Sequence, residues 1–228
     1  MTPLDTRKYF SDADIAAFVD DVQHGNLAKV SAALKAGQDP NAKGLQGIRP
    51  IHFVFAAKTA EVAQALLAAG ADANARAPNG HAPLHYAVQQ RLPGFAALLL
   101  QYKADPNQGG EGGEPVLYVA ITGPAADSIL PLLVQAGADV NRVWGGYPLL
   151  QSAMVQQEWR SAALLLRLGA DPALKTKQGE TAAATFCRLL PKLKAVAPSK
   201  TWVFDVGTRL QAREGPLPCH GLLAGFGG

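Results

Sequence analysis

Five segments of this 228-residue chain are variations on one short phrase. They read "AGQDPNA" (36–42), "AGADANA" (69–75), "YKADPNQ" (102–108), "AGADVNR" (136–142) and "LGADPAL" (168–174). Their aspartates, Asp39, Asp72, Asp105, Asp139 and Asp171, are spaced by 33, 33, 34 and 32 residues. A period of that length marks supersecondary units that bury their apolar faces against neighbours, not one core closed on itself.

Each phrase follows an amphipathic run, such as "KVSAALKA" or "FAALLLQY", whose leucines fall on one helical face. About eleven residues after most phrases comes a Pro and a second short apolar run, "RPIHFVFA", "APLHYAVQ", "EPVLYVAI" and "YPLLQSAM". Pro suits the first helical turn, where its missing N–H costs nothing, and Gly past a helix end suits a left-handed cap. The unit is therefore helix, turn, helix and an extended hairpin holding Asp and Asn. One Asp-x-Asn pair per period is too sparse for a calcium loop, which needs several converging oxygens. The pair is read as shaping the turn through side-chain to backbone bonds.

At "NARAPNGHAPLHYAV" (74–88) the chain resembles the ankyrin-repeat family, carrying the G-x-x-P-L-H-x-A core at Gly80, Pro83, Leu84, His85 and Ala87. The resemblance implies an all-α ankyrin-repeat solenoid over residues 12–190, with five full repeats, an N-terminal cap and a partial sixth repeat from "GETAAATF". It departs in detail. Arg49, Ala82, Glu114 and Tyr147 stand where the family usually has Thr, and its His survives only as His52 and His85.

The stack needs polar ends. "SDADIAAFVDDVQHGN" offers one, with Ser11 expected as N-cap and Asp14 three residues on. Residues 1–11 are expected to form an arm and 191–228 a non-repeat tail, with Trp202, Val203 and Phe204 folding back on the last repeat or serving a partner. From residue 172 onward eight Lys or Arg face three Asp or Glu, so the excess charge lies at the C-terminal end. The formal charge of +3 points neither to nucleic acid nor to membrane, and the free chain is expected to be a monomer. No apolar run is long enough for a membrane span, and no export signal opens the chain as given. The compartment stays open: periplasmic if a signal was removed, otherwise cytoplasmic. Cys187 and Cys219 are wrongly spaced for a metal site. They read first as two unrelated thiols, and alternatively as a bridge tying back the tail, which would need an oxidising compartment.

No catalytic constellation emerges. The chain lacks HExxH, CxxC, a nucleophile elbow and a Walker lysine, and neither His81 nor His220 has a nucleophile and carboxylate arranged about it in sequence. "QGGEGGEP" (108–115) has no following Gly-Lys and carries two glutamates that would repel phosphate, so it is read as a hairpin tip. No enzyme activity, cofactor or metal is expected.

In the family, hairpin tips and exposed positions of each first helix line a concave face that binds other proteins. Carried over, that face comprises Ile48, then Arg76, Asn79, His81, Gln89 and Gln90. It continues through Glu114 and Ile121, then Trp144, Tyr147, Met154 and Val155, and ends at Lys175 and Lys177. Trp, Tyr and Met together are residue types of a binding hot spot. The hairpin bearing them is cut short, nine residues from Asp139 to Pro148 against eleven from Asp72 to Pro83. The alternative is that Trp144 collapses onto Tyr147 or Val155 to fill the missing space.

The opening "RKYFSDADIAAFVDDVQHGNLAKVSAALKAG" is also similar to small bacterial ankyrin proteins encoded beside type VI secretion effectors, notably lipases. That similarity implies an immunity protein that sterically blocks a cognate toxin; the rival is a cytoplasmic adaptor joining two partners. Whatever the partner, the buried seam has a simple test. Leu84→Asp or Leu165→Asp is expected to destabilise the fold by more than about 4 kcal/mol. Loss of the cooperative transition in circular dichroism would register it, and an unchanged melting curve would remove these leucines from the seam.

Overall fold

A computed structural model describes residues 4–57, 59–122, 125–193 and 197–223. The chain divides into two compact units, Met1–Val116 and Leu117–Gly228.

In the first unit, α1 (Ala13–His24) and α2 (Leu27–Lys35) precede α3 (Ala60–Ala68), α4 (Pro83–Gln89) and α5 (Pro93–Gln101), while α6 (Val116–Ile121) spans the junction. Helix α1 starts one residue later than the sequence suggested. Asp12, not Ser11, is its N-cap, accepting from the N–H groups of Asp14 (2.9 Å) and Ile15 (3.0 Å). An ionised carboxylate suits the positive end of a helix. The preceding arm is packed: Thr6 and Phe10 are buried, and the rings of Tyr9 and Phe10 lie 5.9 and 6.0 Å from that of Phe53. The expected short helix in "RPIHFVFA" is a single 3-10 turn, Pro50–Phe53. Ile, His, Phe and Val are indifferent helix formers, and nothing in that run favours extending it.

In the second unit, α7 (Ala126–Gln135) leads to a two-stranded antiparallel hairpin, β1 (Val143–Trp144) and β2 (Tyr147–Pro148). Then follow α8 (Leu149–Val155), α9 (Trp159–Arg167), α10 (Ala182–Leu189), α11 (Ala197–Glu214) and α12 (His220–Leu223). Helix α11 lies against α9 and buries Val203, Val206 and Leu210. The guanidinium groups of Arg160 and Arg167 lie over the Trp202 ring, at 5.7 and 5.8 Å, whereas Phe204 is exposed. Arg213 donates to the carbonyls of Leu166 (2.9 Å) and Ala170 (2.8 Å), at the end of α9 where helical carbonyls lack partners.

The Asp-x-Asn turns are linked as well as locally bonded. Asp39 accepts from the N–H of Asn41 at 2.8 Å and Asp72 from that of Asn74 at 2.9 Å. Asn41 then reaches the next turn, donating to the carbonyl of Gly70 and accepting from the N–H of Asp72, both at 2.8 Å. Asn74 does the same with Lys103 (3.0 Å) and Asp105 (2.7 Å). In the second unit Asn141 accepts from the N–H of Asp171 at 2.8 Å. Lys103, with φ 63°, stands where the other four phrases place a left-handed Gly.

The two surviving histidines bridge hairpins. His52 accepts from the N–H of Arg49 (3.0 Å) through Nδ1 and donates from Nε2 to the carbonyl of Ala75 (2.9 Å). His85 donates to the carbonyl of Glu114 at 3.3 Å. Where the His is missing, Gln151 supplies the bond, donating to the carbonyl of Leu174 at 2.7 Å across 23 residues, the same span as His52 to Ala75.

The reading of Cys187 and Cys219 as unrelated thiols is corrected: they form a disulfide, with Cα atoms 5.3 Å apart, joining α10 to the segment before α12. The sulfurs are brought together by the packing of α10 and α11, which a linear sequence does not display.

Two outcomes follow from these contacts. A cross-link spanning 32 residues restricts the unfolded chain by about 3–4 kcal/mol. Reduction, or Cys187→Ser, is expected to lower the melting temperature by roughly 5–15 °C; an unchanged value under reducing conditions would contradict it. Burial lowers the pKa of His52, and burial, with the nearby charges of His81 and Arg76, takes that of His85 to about 4. The unfolded chain therefore binds protons at these rings below its ordinary value of about 6.5 while the folded chain does not. Their contribution to stability is complete above that pH and is lost as pH falls toward 4. His85→Gln is expected to flatten the melting temperature profile between those limits; an equally steep profile would show that other groups set it.

Candidate functional site

The first unit presents its predicted residues on hairpin tips and beside an apolar cavity. Arg76 is exposed, and its guanidinium donates to the carbonyls of Gly80 (3.0 Å) and Gly109 (2.8 Å), tying one hairpin to the next. Asn79, also exposed, accepts from the N–H of His81 (3.1 Å) and the hydroxyl of Tyr86 (2.9 Å). The His81 ring stacks on His85 at 5.2 Å and 11°, and its nitrogens have no hydrogen-bond partner among the described residues. Gln89 is exposed, whereas Ile48, Gln90 and Glu114 are half-buried.

Ile48 and Gln90 border a cavity of about 160 Å³ walled by Phe53, Phe55 and Tyr86. Sequence reasoning missed those aromatic walls. Phe53 and Phe55 lie in and just after the 3-10 turn Pro50–Phe53, in a run that reads in sequence as a short apolar helix with no sign of a cavity. Burial raises the pKa of the Tyr86 hydroxyl, keeping it a neutral donor to Asn79.

In the second unit the shortened hairpin is a tight β-turn. Gly145 (φ 59°) and Gly146 (φ 86°) both take the left-handed backbone that a two-residue hairpin with matching twist demands. The turn sets Trp144 directly across from Tyr147. Both are half-buried, and Val143 and Val155 are exposed. The Trp144 ring also tilts toward Tyr118, at 6.5 Å and 60°, a neighbour that the packing alternative of Tyr147 or Val155 did not include. Tyr118 was not among the predicted residues, because it belongs to the preceding repeat.

Two predicted residues are corrected. Ile121 and Met154 are fully buried and leave the surface altogether. Both sit near the ends of short helices, where a shift of one position along a 3.6-residue period moves a side chain from the face to the core. Lys175 and Lys177 are exposed on the following hairpin, whose rung to the first is the N–H of Lys177 donating to the carbonyl of Gly146 at 2.8 Å.

The chemistry offered is that of recognition. Among the described residues no group of three or more His, Cys, Asp or Glu could hold a metal ion, and no helix is long and apolar enough to cross a membrane. Half-buried aromatic rings, an apolar cavity and exposed cations provide contact area and charge.

Comparison with known proteins agrees with this geometry. No curated protein matches the chain. Its fold is similar to the ankyrin repeat domain of Bcl-3, a member of the IkappaB protein family, at 23% identity and TM-score 0.70, over 82% of this chain and 85% of that one. It is similar to the ankyrin repeat protein EF0377 (22%, TM-score 0.69, 89% and 99%). It is also similar to the ankyrin repeat domain ABAYE2397 from Acinetobacter baumannii AYE (22%, TM-score 0.70, 86% and 96%). The family pattern described as ankyrin repeats (3 copies) matches residues 18–110 and 56–143, more than half of the sequence. With its linked Asp-x-Asn turns and paired helices, this chain belongs to the ankyrin-repeat family.

Proposed function

We propose that this chain is a non-enzymatic protein-binding module that acts by covering a partner's surface. Ankyrin repeats serve as protein–protein interaction modules, which sets the class. The observation that carries the reading here is the hairpin Val143–Pro148, which leaves Trp144 and Tyr147 half exposed on a tight turn beside exposed Val143 and Val155. Large aromatic side chains on a rigid turn give contact area at little entropic cost.

The finer reading is steric inhibition, as by a bacterial immunity protein that blocks a cognate secreted toxin such as a lipase-type type VI effector. It draws on the similarity of the opening stretch to such proteins and on the Cys187–Cys219 bridge, of a kind that persists in oxidising compartments. An adaptor would need a second docking surface on the basic C-terminal segment. There Arg209 is paired with Asp205 at 2.9 Å and Arg213 is bonded to backbone carbonyls, so those cations are already committed within the fold.

The test uses the chain and its Trp144→Ala/Tyr147→Ala variant as paired baits in native lysate, read by mass spectrometry. A protein held by the native chain and about tenfold more weakly by the variant is expected. The variant should lose less than about 1.5 kcal/mol of stability, because both rings are partly exposed. Equal retention, or a collapse of the variant's fold, overturns the contact reading. If the captured protein is a hydrolase, the native chain should suppress its turnover; full turnover within the complex would leave binding without inhibition.

A further inference from the structure

The hairpin that bears Trp144 and the one that follows it carry charge of one sign only. No Asp or Glu occurs in 140–148 or in 173–179, while Arg142, Lys175 and Lys177 do. The carboxylate at the base of the second hairpin, Glu180, is engaged by Arg188 at 2.9–3.2 Å, and that guanidinium holds its pKa below the usual range. Elsewhere in this unit arginines are satisfied internally: Arg160 by Asp127, Arg167 and Arg209 by Asp205, Arg213 by carbonyls. Among the described residues, Arg142, Lys175 and Lys177 form no ion pair.

Both lysines are exposed around the buried Thr176, with Lys177 at the start of the turn that the N–H of Gly179 closes on the carbonyl of Thr176. The stem of Lys177 lies across Gly146, where a Cβ would stand 2.6 Å from its Cδ. The absence of a side chain at Gly146 thereby seats an ammonium next to the turn that carries Trp144 and Tyr147.

We propose that the partner docks on this face with an acidic segment, carboxylates meeting Lys175 and Lys177, and an apolar side chain beside them on Trp144 and Tyr147. This rests on the protein-binding reading above and adds the partner's chemistry to it. Aromatic rings among cations also suit single-stranded nucleic acid. The family's use of this surface for proteins favours the acidic peptide, and nucleic acid becomes an outcome of the test.

A phage-displayed library of random 12-residue peptides is selected on the intact, oxidised chain. Enriched peptides and a fluorescein-labelled single-stranded dT oligonucleotide are then titrated by anisotropy. Enrichment of peptides with net negative charge and at least one aromatic or aliphatic residue is expected. Their affinity should fall about tenfold or more in Lys175→Glu/Lys177→Glu and with a rise in salt from about 0.05 to 0.5 M. Both lysines are exposed, so this variant should melt like the native chain. Peptides that need Trp144 but show no acidic bias, or ignore the lysine variant, overturn the charge proposal and leave the docking face standing. Selected peptides that are all indifferent to Trp144→Ala overturn both. An oligonucleotide bound more tightly than any peptide, and lost in both variants, replaces the acidic segment with nucleic acid.

Discussion

Two amide contacts hold successive turns of this protein in register. Each linking asparagine donates to a carbonyl of the next turn and accepts from the N–H beside it, so one side chain satisfies both kinds of backbone group. Turns of this sort would otherwise leave polar backbone facing a neighbour without partners. The bond pattern also explains the period. Asn41 meets residues 70 and 72 and Asn74 meets residues 103 and 105, so an inserted or deleted residue between them would break both bonds at once. In the fifth phrase Ala173 replaces the asparagine, and the ladder stops where no further full repeat needs it.

Local departures from the repeat are offset by neighbours. Lys103 takes the left-handed position at the cost of a side chain there, yet its carbonyl still receives Asn74. Gln151 makes the cross-hairpin bond that His52 makes elsewhere, although it sits at a different place in the motif. Residue identity is thus less constrained than the bond it must form. A search for the family's His finds two, whereas a search for the bond finds three among the described residues.

What could be read from the sequence was what repeats. The phrases, the apolar helical faces and the shortened hairpin are nearest-neighbour properties, written once per unit and checked by comparison along the chain. The features missed are of other kinds. Asp12 displaced Ser11 by a competition between two adjacent acceptors that composition does not rank. Ile121 and Met154 lie in the core, at helix-end positions where a reading one residue off exchanges the exposed side for the buried one. Tyr118 beneath Trp144, the aromatic cavity of the first unit and the disulfide all depend on side chains brought together by packing, with no periodic trace.

Helix α11 has a bearing on how such a protein can change over evolutionary time. Arrays of this type lengthen or shorten by duplicating whole units. Here Arg213 occupies the carbonyls of Leu166 and Ala170, α11 covers α9, and the disulfide ties the chain beyond α11 back to α10. A unit added after α10 would have to displace all three. Duplication is therefore confined to positions before that closure, and the length of the array at this end is set by a lock and key of its own making, independent of any partner.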